Sequence, residues 1–81
     1  MKSLVSTLSL DQAPIGRTLT IAATCDDGVV ARRLTSLGWR VGVQIQVTQR
    51  ASGGARIIDL NGSRVAVSRN LARALPVEVA A

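Results

Sequence analysis

The 81-residue sequence contains no histidine, phenylalanine or tyrosine, and only one cysteine and one tryptophan. Without histidine there is no imidazole for a catalytic triad or for general acid–base catalysis near neutral pH. One cysteine and no histidine also exclude the usual ligand sets of zinc and softer metals. We therefore expect a protein that is not an enzyme and that holds no metal or other cofactor.

Binding of a hard cation would depend on carboxylates, and those of this chain fall in different predicted elements: Asp11, Asp26, Asp27, Asp59 and Glu78. Asp26 and Asp27 could bind a cation together. They are better explained as a helix cap, because carboxylates accept the free N–H groups at the start of a helix. Gly53-Gly54 is not followed by Lys and then Ser or Thr, so it predicts a hairpin turn and not a phosphate loop.

Cys25 is the only thiol and cannot form an internal disulfide, so an oxidising compartment would not stabilise this fold. With no histidine to activate it, Cys25 is better explained as a small buried residue on a strand than as a reactive thiol. The chain has no run of about 18 apolar residues that could span a membrane. Residues 3–8 carry too many Ser and Thr for a secretory signal. We expect a cytoplasmic protein.

Nine arginines and one lysine against five acidic residues give a net charge of +5. Such a charge suits nucleic acid, an acidic protein surface or the anionic inner face of a membrane. It also suits a solvated surface without any ligand, because the basic residues are scattered along the chain. Small barrels that bind nucleic acid stack bases on aromatic rings, and Trp39 alone is thin support for that function.

Hydrophobic residues make up 47% of the chain and charged residues 19%, which indicates one globular domain with an aliphatic core. Residues 43–47 alternate strictly between apolar and polar and predict a half-buried strand. The dipeptide Asn61-Gly62 predicts a tight hairpin. The predicted strands cover residues 17–25, 43–47, 55–60, 63–67 and 75–79. Pro76 restricts the last strand to a sheet edge, or itself to the first position of that strand.

Residues 29–37 predict a short helix, in which Val30, Leu34 and Leu37 form one apolar stripe. Gly38 follows at the position where a left-handed glycine ends many helices. Ser68 is placed to cap one further helical turn over residues 69–74. Together these elements predict a mainly β fold: a small barrel of about five strands, with a short helix inserted after the first strand and the last strand free to pair with the first.

Several of these features occur together in one known family. The block Arg33-Leu34-Thr35-Ser36-Leu37-Gly38, then Gly42, then Val43-Gln44-Ile45-Gln46-Val47 resembles the signature of the FeoA family of ferrous iron transport accessory proteins. Further similar positions, in the same order, are residues 10–16, Gly53-Gly54, Gly62, Val65-Ala66-Val67 and residues 72–77. The resemblance covers about residues 8–79. Two positions depart from the family pattern: Val41 stands where Pro is frequent, and Trp39 where Leu or Met is usual.

The resemblance implies an SH3-like barrel without a cofactor that assists ferrous iron uptake by binding the transporter FeoB, which carries a cytosolic G domain. The same domain is similar to the C-terminal module of the diphtheria-toxin-repressor family of metal regulators. No DNA-binding helix-turn-helix precedes it here, which favours a separate accessory protein with no nucleic-acid partner. Two alternatives stay open: a small basic barrel that binds nucleic acid, and a metal-regulator-type interaction domain. The oligomeric state is also open.

A partner-binding surface is predicted on the helix and on the turn that follows it. It consists of three guanidinium donors and three apolar residues: Arg32, Arg33, Arg40, Leu37, Trp39 and Val41. Arginines around a small apolar centre are typical of interfaces. The helix arginines could instead be only the solvated face of an amphipathic helix. Trp39 could fold back on Leu34 as part of the helix stop, or stand exposed as a binding anchor.

Overall fold

The computed structural model of the protein describes residues 5–24 and 28–80. Cys25 and the Asp26-Asp27 pair, interpreted above as a buried thiol and a helix cap, lie outside the described residues. One antiparallel sheet of six strands and two short α-helices make up most of the described chain. Neither of these helices is long and apolar enough to cross a membrane.

The elements follow one another as two strands, a helix, three strands, a helix and a closing strand. The strands are β1 (Val5–Ser9), β2 (Thr18–Ile21), β3 (Gln44–Arg50), β4 (Arg56–Leu60), β5 (Ser63–Val67) and β6 (Pro76–Ala80), and the helices are α1 (Gly28–Leu37) and α2 (Arg69–Arg73). Two short 3-10 turns cover Leu10–Gln12 and Ser52–Gly54. The strand order is β1-β6-β2-β3-β4-β5, so β1 and β5 are the two ends of the sheet.

The described chain has six strands where about five were predicted, and α1 follows the second strand and not the first. The additional strand is β1. It pairs with β6 along its whole length, from Val5↔Ala80 to Ser9↔Pro76, although its sequence VSTLS gives no strict apolar alternation. Backbone pairing with a strand distant in sequence therefore makes this segment extended.

Two local predictions at β6 and at the hairpin are confirmed. Pro76 is the first residue of β6, one of the positions that a strand allows to proline. Asn61 and Gly62 join β4 to β5 with φ angles of 52° and 82°, the two positive angles that a type I′ turn requires. β2 is shorter than the predicted strand over residues 17–25, since it covers only Thr18–Ile21.

The core is aliphatic, as the composition predicts, and every strand from β2 to β6 contributes to it. Its almost fully buried members include Leu10, Leu19, Ile21, Val47, Ile58, Leu60, Val67, Leu75 and Val77. No polar or charged side chain is buried within residues 5–24 and 28–80. On α1, Ala31 and Leu34 are buried, whereas Leu37, the last residue of the predicted stripe, is 37% exposed.

A Schellman motif centred on Gly38 ends α1. The backbone N–H of Trp39 donates to the carbonyl of Leu34 at 2.9 Å, and that of Gly38 donates to the carbonyl of Thr35 at 3.1 Å. Gly38 has a φ of 114°. Trp39 is 1% exposed and belongs to the same core as Leu34, and its Nε1 donates to the carbonyl of Ala23 at 3.0 Å. The helix-stop prediction for Trp39 is therefore confirmed.

Candidate functional site

The predicted partner-binding residues do not all reach the surface. Five of the six keep exposed surface: Arg32, Arg33, Leu37, Arg40 and Val41. The sixth, Trp39, is buried, and its indole N–H is already bonded to a backbone carbonyl. A partner could contact this ring only after the helix stop had opened, so the exposed-anchor alternative for Trp39 is wrong.

A groove of about 520 Å³ lies between α1 and β5. Its lining residues come from α1, from β5 and from the cap of α2: Arg33, Leu34, Leu37, Arg64, Val65, Ala66 and Ser68. Four of them carry apolar side chains, and the two arginines stand one on each wall. Of the predicted site, Arg33 and Leu37 belong to this groove, whereas Arg32, Arg40 and Val41 do not line it.

The α1 wall follows from helical spacing. Residues three apart on a helix lie on the same face, so Leu34 and Leu37 come to the groove together. Leu34 is only 2% exposed and holds the helix to the core, whereas Leu37, one turn later, keeps much of its side chain accessible. The same helix therefore supplies both the attachment to the core and an accessible apolar contact.

The β5 wall is the free edge of the sheet. The hairpin sets the register Leu60↔Ser63, Ile58↔Val65 and Arg56↔Val67. Antiparallel pairs alternate between hydrogen-bonded and non-bonded, and the pair that closes a two-residue turn is bonded. The N–H and C=O groups of the residues between these pairs, Arg64 and Ala66, consequently point away from β4, and β5 has no neighbour on that side among the described residues.

The groove is electropositive. None of its seven lining residues is acidic. Within the described parts of the chain, neither Arg33 nor Arg64 pairs with a carboxylate. The ion pair found there joins Nε of Arg73 to Oδ2 of Asp11 at 3.9 Å. Unpaired guanidinium groups beside apolar surface suit a ligand that brings both carboxylates and apolar side chains.

The sequence does not predict the β5 half of this site. Arg64, Val65 and Ala66 fall in a predicted strand, and the last two also in the family resemblance, but nothing in their local pattern distinguishes an edge that faces a helix from an edge that faces water. An arginine in a short strand next to a hairpin is the one weak indication. Whether the β5 edge faces α1 depends on where the helix lies against the sheet.

A second, smaller cavity of about 300 Å³ is polar and offers fewer groups that could bind a ligand. It is lined by Thr18, Gln44, Ile45, Gln46, Asp59, Asn61 and Gly62. Its one carboxylate, Asp59, already accepts the backbone N–H of Gly62 at 3.2 Å. In the described segments, no three His, Cys, Asp or Glu side chains come together as metal ligands.

Comparisons with known proteins agree with this architecture. A family model described as the FeoA domain matches residues 8–79. Among curated proteins, none matches the chain. A crystal structure of an iron uptake regulatory protein, FeoA, is 25% identical, with a TM-score of 0.74, over 89% of this chain and 94% of that one.

Two further solved structures are similar. The FeoA protein from Chlorobium tepidum is 25% identical with a TM-score of 0.80, covering 91% of this chain and 71% of that one. FeoA from Stenotrophomonas maltophilia, a prokaryotic SH3 domain protein solved in complex with zinc, is 20% identical with a TM-score of 0.68, over 86% and 88% of the two chains. The SH3-like fold expected from the sequence is thus confirmed.

Proposed function

We infer the function of this chain from its family: the chain belongs to the FeoA family, whose domain model matches nearly its whole length. This is a family of accessory proteins associated with ferrous iron transport, and it is not an enzyme family. We propose that the chain, as one cytoplasmic domain without a cofactor, assists ferrous iron uptake by binding the cytosolic part of the transporter FeoB.

The observation that supports this proposal is the groove between α1 and β5. It combines an apolar lining with an accessible arginine on either wall, and interfaces are enriched in arginine around an apolar centre. Arg32 on α1, and Arg40 and Val41 after its end, are also exposed, although they do not line the groove. A protein whose described residues offer such a surface and no catalytic constellation is suited to act by binding.

The relatives point in the same direction. The Stenotrophomonas maltophilia protein is put forward as an activating factor of bacterial ferrous iron transport, and activation of a transporter requires contact with it or with its regulators. The nucleic-acid alternative loses support, because the one aromatic ring of the chain is buried in the core and cannot stack on a base.

A direct binding measurement tests the proposal. The purified chain is titrated against the cytosolic part of FeoB from the same organism by biolayer interferometry. We expect saturable binding that Arg33→Ala combined with Leu37→Ala weakens by about tenfold or more, as truncation of two central interface residues does. Arg50→Ala, an exposed arginine on β3 outside the groove, is the matched control and should bind as the wild type does.

Three other outcomes would contradict the proposed partner, its predicted interface or the proposed function. No binding of the folded wild-type chain to FeoB would refute the proposed partner. Equally tight binding by the folded double variant would place the interface elsewhere. A titration with generic RNA covers the alternative function: RNA affinity that falls steeply with salt would indicate phosphate contacts and favour nucleic acid.

A further inference from the structure

The groove beside α1 runs along a sheet edge with unused hydrogen-bonding groups. Three consecutive residues of β5, Arg64, Val65 and Ala66, line it. Successive side chains of a strand point to opposite faces, so what these three share is the backbone edge itself. We propose that this edge receives an extended segment of a partner protein, with acidic and apolar side chains, as an added antiparallel or parallel β-strand.

The free groups define how such a segment would bind. Arg64 and Ala66 each direct one N–H and one C=O away from β4, and no further strand pairs with β5 among the described residues. Strand addition satisfies such groups and obtains its affinity from the main chain, while pockets beside the edge select the side chains. Here Leu37 and Val65 offer the apolar contacts.

The length of the lined edge suits a short strand. Three consecutive residues of β5, from Arg64 to Ala66, line the groove. At about 3.3 Å per residue they span about 10 Å of sheet edge, which is the length of about three residues of an added strand.

The charge of the groove selects the partner's chemistry. Arg33 on α1 and Arg64 on β5 have no carboxylate partner among the described residues, so acidic side chains on the added strand would pair with them on both walls. A second copy of this chain is a poor occupant, because each copy carries a net charge of +5. Arg64 could alternatively act only as an edge charge that prevents β5 from pairing with another copy of itself. That role alone would not explain why apolar side chains line the groove beside it.

The other end of the sheet differs. On β1 the described side chains that are exposed, those of Ser6 and Thr7, carry no charge. No β1 residue lines the groove or the smaller cavity. Of the two ends of the sheet, β5 is therefore the one whose edge lines a groove that also holds two arginines.

The binding mode is tested without FeoB, by NMR titration of the intact chain with a blocked hexapeptide of alternating Glu and Val. We expect saturable binding in which amide hydrogen exchange at Arg64 and Ala66 slows by at least about tenfold, because these N–H groups enter a new ladder. The amides of Val65 and Val67, already bonded to β4, should change little. The same hexapeptide with Lys in place of Glu is the charge control and should bind at least about tenfold more weakly.

Ala66→Pro separates strand addition from other modes of binding. Proline is tolerated at an edge position whose N–H the fold does not use, and its ring both removes the donor and obstructs a second backbone. We expect this variant to fold and to lose binding by more than about tenfold. Ala66→Val adds similar bulk at the same position but keeps the N–H, so it should bind at least about fivefold more tightly than Ala66→Pro.

Three results would overturn the inference: peptide binding without protection of the Arg64 and Ala66 amides, equal binding of the Glu and Lys peptides, or full binding by a folded Ala66→Pro variant. Protection of both amides in the free chain together with a dimer in sedimentation would identify a second copy as the occupant, which also overturns it. That the partner is FeoB rests on the proposed function. Failure of FeoB to bind while the Glu peptide protects the edge would therefore refute the partner and leave the strand-addition mode standing.

Discussion

Replacing Gly38 by alanine tests both the helix stop and the approach of the β4–β5 hairpin to it. Gly38 has a φ of 114°, and a Cβ built there would overlap the side-chain amide nitrogen of Asn61 and lie 3.3 Å from its Cγ. An alanine would thus adopt a backbone conformation that L-residues avoid, and it would also displace a neighbouring side chain. The two effects can be measured separately.

The conformational part costs about 1 kcal/mol, the usual penalty of alanine at a positive φ. Moving the amide of Asn61 out of its rotamer adds on the order of 1 kcal/mol, since the group at risk is the end of a side chain and not backbone. A loss of about 2 kcal/mol should lower Tm by roughly 8 to 16 °C in a domain of this size. Urea unfolding followed by the fluorescence of Trp39, the only tryptophan and 1% exposed, measures the same loss directly.

Gly42→Ala is the matched control, because Gly42 has a φ of 91° but no neighbouring heavy atom within 4 Å of an added Cβ. It should lose about 1 kcal/mol, the conformational part alone. In an Asn61→Gly background, Gly38→Ala should cost no more than Gly42→Ala, which a double-mutant cycle detects. An unchanged unfolding midpoint for Gly38→Ala would refute the positive φ, and full additivity with Asn61→Gly would refute the close approach.

Three further predictions concern the core, the attachment of the loop after β1, and metal binding. Trp39→Ala should destabilise the fold by about 3–5 kcal/mol, because it empties the largest core position. This variant lacks the fluorescent probe, so its urea unfolding is followed by circular dichroism; a midpoint equal to that of the wild type would contradict the burial of Trp39. Arg56 donates from Nη2 to the carbonyl of Asp11 at 2.6 Å and from Nη1 to the carbonyl of Gly54 at 2.9 Å, so Arg56→Ala should cost about 1–3 kcal/mol, whereas the exposed Arg50→Ala should stay within about 0.5 kcal/mol. Equal midpoints for these two arginine variants would show that the contacts of Arg56 are not stabilising. Calorimetry with micromolar ferrous iron or zinc should show no stoichiometric binding by the chain, because the described carboxylates are not clustered. Tight one-to-one binding would contradict this prediction. Zinc is the sharper test of the two metals, because one relative was solved in complex with it.

The sequence alone determined the features that depend on short windows. The dipeptide Asn61-Gly62 predicts its turn because few residue types accept two positive φ angles in a row. Gly38 marks the end of α1 for a related reason. Ser68 caps α2 as predicted, with its Oγ accepting the N–H of Leu71 at 3.3 Å. Each of these choices is decided within about one turn of backbone, so residue type carries enough information.

Only the tertiary structure decided what depends on distant partners. β1 is a strand because β6 pairs with it, although its own residues alternate weakly. The sequence favoured a Trp39 packed on Leu34 but also allowed an exposed anchor, and the burial of the ring together with the bond from its Nε1 to the carbonyl of Ala23 decided between them. The groove joins Arg33 to Arg64, two residues from elements that no local pattern relates. Strand pairing and side-chain burial are set by which surfaces meet, and backbone hydrogen bonds are the same for every residue type except proline, so these contacts leave little trace in the sequence.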